Sequence, residues 1–186
     1  AKNIFFNKGQ LNATMQEIAD QAGVNRALVN YYFRSKGKLL KTVMQEATDE
    51  TFKKMLSVTV LNISFEEKIA LAISTIMDNL VKYPYIETFI VSEINKDSEL
   101  SRVINLTDEQ QSFKKKFLKE IQLYIEKKKL PPMRPEHFMV NMIAMCSYPA
   151  MANRIIKNVL GYSDEQYARF IKQRKTIIYN FLFGTP

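Results

Sequence analysis

Apolar residues recur every three or four positions along almost the whole chain, and nowhere does strict alternation last long enough for a strand. Such spacing turns one stripe of each segment inward and leaves the rest to water, the pattern of amphipathic helices. Only 5 glycines and 6 prolines occur in 186 residues, which leaves little room for long coil. The expected fold class is therefore all-α. The length suffices for one large domain or two small ones with a real core.

Helix boundaries follow from local chemistry. Residues 1–8 read as the end of a helix stopped by Gly9, and the start at AKNIFF, inside that helix, implies residues ahead of it. Thr14-Met15-Gln16-Glu17 is a capping box, in which threonine and glutamate each satisfy an orphan backbone amide. The helix it opens runs to Ala22, where Gly23 breaks it. Asn25 caps a third helix to Phe33, and a fourth begins at Ser35 or Lys36. Ser64 to Glu67 opens a helix that ends before Pro84, because the residue ahead of proline disfavours helical geometry. A short helix over Tyr85–Asn95 follows, then a turn of helix and loop over Asp97–Leu106. Thr107 or Asp108 starts a long helix through Lys129. Another runs from Pro135 to about Leu160 with a kink at Pro149, and Ser163 and Gln166 box the start of the last.

The stretch AGVNRALVNYYFRSK carries the most chemistry. Two short helices that meet steeply need a small residue at the contact, a glycine free to take positive φ, and apolar residues inside. Ile18, Ala19, Ala22, Gly23, Val24, Val29 and Phe33 meet these demands together. With Val29 inward, Arg26, Ala27 and Asn30 face outward, flanked by Tyr31 and Tyr32. Arginine suits guanine O6/N7 and asparagine adenine N6/N7 in a major groove, while Ala27 and Leu28 suit a thymine methyl. A solvated basic helix is the plain alternative, but it leaves two surface tyrosines without a purpose.

Charge agrees. The net charge is +8, and residues 1–41 hold seven positive and two negative side chains, +5 of that total. A basic patch of this kind is the electrostatic footprint of an anionic partner.

From Ala13 to Leu40, ATMQEIADQAGVNRALVNYYFRSKGKLL resembles the DNA-binding segment of the tetracycline-repressor (TetR) family of bacterial transcription regulators. The Thr-capped helix, the Ile-Ala pair, the Ala-Gly-Val turn, the Tyr-x-Phe exit and the Ser-Lys that follows carry the likeness, and IFFNKG resembles the end of the family's first helix. The resemblance implies a helix-turn-helix DNA-binding domain over residues 1–41 and a helical effector-binding and dimerisation domain over 42–186. It implies phosphate contacts from Thr14, Tyr31, Tyr32 and Lys36, bases facing Arg26, Ala27 and Asn30, and Asn25 as helix cap. Leu28 stands where many members are polar and Asn30 where many have tyrosine, so no known operator transfers. The partners implied are double-stranded operator DNA, a second copy of the chain as a homodimer, and a small-molecule effector that releases a repressor.

The remaining residues offer candidates for both larger-domain tasks. Met77, Phe89, Glu93, Phe113, Phe117, Tyr124, Met142, Met145, Cys146 and Tyr148 are expected to line a pliable, mostly apolar effector pocket, against ordinary core packing for any one of them. Ile143, Ala150, Ile155, Tyr167, Phe170, Ile171, Ile177, Ile178 and Phe181 exceed the stripe a terminal helix needs for its own domain. They are expected to form a two-fold interface.

Other classes fit less well. His137 stands beside Glu136 without metal-ligand spacing, and Cys146 lies mid-helix more than two turns from it. No glycine-rich phosphate loop occurs, so no enzyme, catalytic residue, metal or cofactor is expected. The single cysteine fits a reducing interior, and the absence of a long charge-free apolar stretch implies a cytoplasmic protein with no membrane partner. Two rivals stay open: a constitutive DNA-binding dimer whose larger domain is only an interaction module, and a membrane-surface or carrier protein.

Overall fold

A computed structural model describes residues 1–10, 12–59, 61–96 and 107–184. Among these every regular element is helical, in keeping with the all-α expectation. A π-helical turn spans Asn3–Asn7. It is followed by α1 (Met15–Ala22), α2 (Arg26–Phe33), α3 (Lys36–Thr59), α4 (Phe65–Lys82) and α5 (Ile86–Lys96). Beyond the undescribed residues come α6 (Asp108–Glu126), α7 (Pro135–Met151), α8 (Asn153–Leu160) and α9 (Asp164–Phe183). The turn and loop expected over Asp97–Leu106 lie outside the described residues.

The caps explain these limits. Three capping boxes form: Thr14 with Glu17, Thr107 with Gln110, and Ser163 with Gln166. Ser64 and Glu67 exchange the same pair of bonds. Two ends differ from expectation. α6 stops at Glu126, short of Lys129, as the chain turns through a positive φ of 57° at Lys128. The helix expected over Pro135–Leu160 is two helices with a break at Ala152. Pro149 has no N–H for the Met145 carbonyl and its ring crowds that turn, so the helix ends soon after it.

The contacts divide the chain into two compact units, residues 1–52 with 80–105, and residues 53–79 with 106–186. The core of the first holds Phe5, Phe6, Met44 and Phe89, all fully buried. Phe5 stacks on Phe89 with ring centroids 5.0 Å apart, and Phe6 meets the same ring edge-on at 5.3 Å. The Tyr85 amide donates to the Phe6 carbonyl at 2.9 Å. This approach leaves no room for a side chain at Gly9: a Cβ there would sit 2.9 Å from the Tyr85 ring, at a φ of +66°.

The second unit packs α4, α6, α7 and α9 around Phe65, Ile69, Ile73, Ile121, Phe138, Met142 and Ile178. Lys175 ties α9 to α4 by bonds to Ser74 at 2.9 Å and Asp78 at 2.6 Å.

Candidate nucleic-acid interface

The interface is built by two short helices and the turn between them. The Thr14 hydroxyl accepts from the Glu17 amide at 3.2 Å, while the Glu17 carboxylate accepts from the Thr14 amide at 2.6 Å and its hydroxyl at 2.8 Å. These bonds hold the Glu17 carboxyl below its ordinary range, and the charge of Lys36 adds to the effect. At the other end of α1, Gly23 takes a left-handed φ of 67° and donates to Ala19 and Asp20. The Val24 amide also reaches the Ala19 carbonyl, at 3.1 Å, a doubled closure that turns the chain sharply. Asn25 then caps α2 by accepting from the Leu28 amide at 2.7 Å.

Burial sorts the side chains. Ile18, Ala19 and Val29 are buried, and Val24 is half-buried between them. Arg26, Ala27, Asn30 and Tyr31 are exposed on α2, and Arg34 beyond its end is exposed as well. Among the described residues no carboxylate or amide engages Arg26, Asn30 or Arg34, so their donors remain free. Tyr31 and Tyr32 are 78% and 70% exposed, and their rings meet edge to face. Such exposure is rare for tyrosine unless a partner covers it.

The structure separates two of the outward candidates from the rest. Leu28 and Tyr32, one helical turn apart, line an open groove of ≈ 540 Å³ with Ile18, Val24, Phe33 and Val43. Leu28 thus shares the side of α2 that holds the inner residues, not the side that carries Arg26 and Asn30. Arg34 was left out of the sequence assignment. It turns the chain out of α2 at a φ of 56°, a conformation costly for a residue with a side chain and most often kept at functional positions.

The comparisons with known proteins agree with this geometry. Residues 1–43 match the family profile for bacterial regulatory proteins of the tetR family. A probable HTH-type transcriptional regulator of Bacillus subtilis (strain 168), YttP, is 27% identical over 164 residues, covering 84% of this chain and 76% of that protein. The chain belongs to the TetR family of transcriptional regulators. A crystal structure of a TetR/AcrR-family regulator from Thermobifida fusca YX-ER1 shares the fold, with a TM-score of 0.60 and 15% identity, over 96% of this chain and 92% of that one. As a TetR-family regulator this chain is a DNA-binding protein of transcription, and α1 and α2 form its helix-turn-helix.

The candidates for the larger domain fall in different places. Phe89 and Glu93 belong to the first unit, and the other pocket candidates to the second. Met77, Phe117, Met142 and Cys146 are buried. Phe113 stacks on Phe117 at 6.1 Å, and Tyr124 packs on Phe65 at 4.3 Å while donating to Glu66 at 3.2 Å. Burial pushes the Cys146 thiol up to about 12 against the opposing charge of Arg174. Tyr148 is instead 61% exposed, and with Met145 it lines an open groove of ≈ 580 Å³. The interface candidates Ile155 and Phe170 line this same groove. Ile143, Ile177 and Phe181 are exposed, whereas Ile178 is fully buried within its own unit and offers nothing to a partner.

No group of three or more metal-ligating side chains occurs among the described residues, and no described helix is long and apolar enough to cross a membrane.

Proposed function

We propose that this regulator represses transcription by placing α2 in the major groove of an operator, as a cytoplasmic homodimer, and that a mostly apolar ligand releases it. The observation that carries the DNA contact is the outward face of α2, where Arg26, Asn30 and Tyr31 stand exposed with their donors uncommitted. Arg26, Ala27 and Asn30 read base edges; Thr14, Tyr31, Tyr32 and Lys36 hold phosphates. Leu28 is kept only as a contact at the edge of the groove.

Dimerisation is supported by the exposed apolar side chains of the last helices, with Ile155 at 62% and Phe181 at 66% exposure. Contiguous apolar surface of this kind marks a partner site. Two recognition helices about 34–36 Å apart then meet successive major grooves. A ligand alters DNA affinity only by favouring one of two arrangements. α3 runs unbroken from Lys36 to Thr59 and contributes to both units, which makes it the element that would respond.

The close packing of Met77, Phe117 and Met142 favours a second reading, a constitutive dimer with no ligand. Fluorescence anisotropy with operator and random duplexes, at several salt concentrations, tests the DNA contact. Binding that falls steeply with salt and prefers one sequence supports it. Equal affinity for all duplexes, or tighter binding to anionic vesicles, overturns it.

A further inference from the structure

The groove formed by α7, α8 and α9 has an apolar floor of Met145, Pro149, Ile156 and Phe170, with one charged side chain, Arg174, set in it. The guanidinium is only partly used. Its Nη2 donates to the Met145 carbonyl at 3.4 Å, the acceptor left open by Pro149. Its Nε is buried and has no partner. No carboxylate among the described residues pairs with it.

A charge held among apolar atoms without a counter-ion is strongly unfavourable. The neighbouring helices do not supply one. From residue 137 to the end of the chain the only acids are Asp164 and Glu165, against six lysines and arginines. Asp164 is held by Lys157 at 2.7 Å. Glu165 lies nine residues before Arg174 on the same helix, about half a turn round and so on the opposite face. A second copy brought over the exposed rim, Tyr148, Ile155 and Val159, would dehydrate Arg174 and offer no acid on that face.

We infer that this groove binds an amphipathic carboxylate, its apolar chain along the floor and its head on the Nε side of Arg174. The volume of ≈ 580 Å³ lies within the range of about 300–1,000 Å³ of small-molecule sites. A guanidinium accepts a carboxylate through two parallel hydrogen bonds, so the head group fixes orientation and the floor supplies affinity. This deepens the proposed ligand response by naming the ligand's class and place.

The test uses the full chain without DNA, so its failure leaves the DNA-binding reading untouched. Calorimetric titrations compare decanoate, 1-decanol and acetate. The expected result is one decanoate per chain, bound about 10- to 100-fold tighter than decanol, and no measurable acetate binding. Arg174→Met removes the preference and leaves decanol affinity unchanged, Arg174→Lys keeps part of it, and Ile156→Trp fills the floor and weakens both long-chain probes. The comparison of decanoate with decanol on the unaltered protein stands even if a variant fails to fold. Equal binding of the two, no saturable decanoate binding, or a preference that survives Arg174→Met overturns the assignment. So does displacement of decanoate as protein concentration rises, which would make a second copy the occupant.

Discussion

The rings of Tyr31 and Tyr32 lie edge to face, centroids 5.4 Å apart, while both side chains stay more than two-thirds exposed. The pair braces itself without burial, so its hydroxyls are held at the surface at little entropic cost. If they donate to phosphates, Tyr31→Phe and Tyr32→Phe keep the ring contact and lose only the donor. Each should weaken binding to every duplex alike by about tenfold, with the melting temperature unchanged. Anisotropy titrations alongside circular-dichroism melts measure both; a loss confined to one sequence would reassign the tyrosine to a base.

Gly9→Ala should destabilise the protein by about 1–3 kcal/mol, because the added methyl meets the Tyr85 ring at 2.9 Å and the backbone φ is +66°. Urea unfolding measures this. An unchanged midpoint would mean that the Phe6–Tyr85 junction gives way freely.

Acid should loosen α1 and α4 at their starts. Hydrogen bonds from Thr14 and Ser64 hold the Glu17 and Glu67 carboxyls below their ordinary range. A depressed native value means that the stabilisation is present above the ordinary carboxylate range and is lost as pH falls through it. Glu17→Gln with Glu67→Gln should therefore flatten the fall in melting temperature between pH 6 and pH 3 (roughly the carboxylate range). A parallel fall in both proteins would assign the acid sensitivity elsewhere.

Cys146 should be inert in the native protein. Its thiol is 1% exposed and pushed up to about 12, so at neutral pH it offers neither access nor thiolate. An aromatic disulfide reagent should react at the rate of unfolding, and at once in denaturant. Because the native value is raised, stability conferred by the neutral thiol declines as pH climbs above its ordinary value of 9.0. Fast native labelling would show that the α7–α9 packing opens locally.

The helix-turn-helix was legible because its signals are local. Thr14, Gly23 and Asn25 act on amides within four residues, and their geometry follows from type and spacing. The ends that strayed depend on less visible chemistry: Lys128 stops α6 by a positive φ that no glycine announces. Pro149 was read as a kink, but its effect extends to a full break at Ala152. Burial beyond the motif was least legible, since it depends on which helices meet. Ile177 and Ile178 are neighbours of one type, yet one is 49% exposed and the other fully buried. Leu28 looked outward by spacing, but the groove with Ile18 and Val24 claims its side of α2. Arg174 had a signal that went unused. A proline inside a helix leaves a carbonyl in want of a donor, although nothing in the sequence says which helix supplies it.

Base readout by α2 is tested most directly by selecting bound duplexes from a random pool with the unaltered protein and with Arg26→Ala, Asn30→Ala and Lys36→Ala. Each of the first two variants should relax selection at its own base pair, at a cost of about 1–3 kcal/mol in discrimination. Lys36→Ala should weaken all sequences equally and reduce the salt slope by about one. If Arg26→Ala and Asn30→Ala lose affinity for selected and random duplexes in the same proportion, α2 does not read bases, and the proposed mode of DNA recognition is wrong.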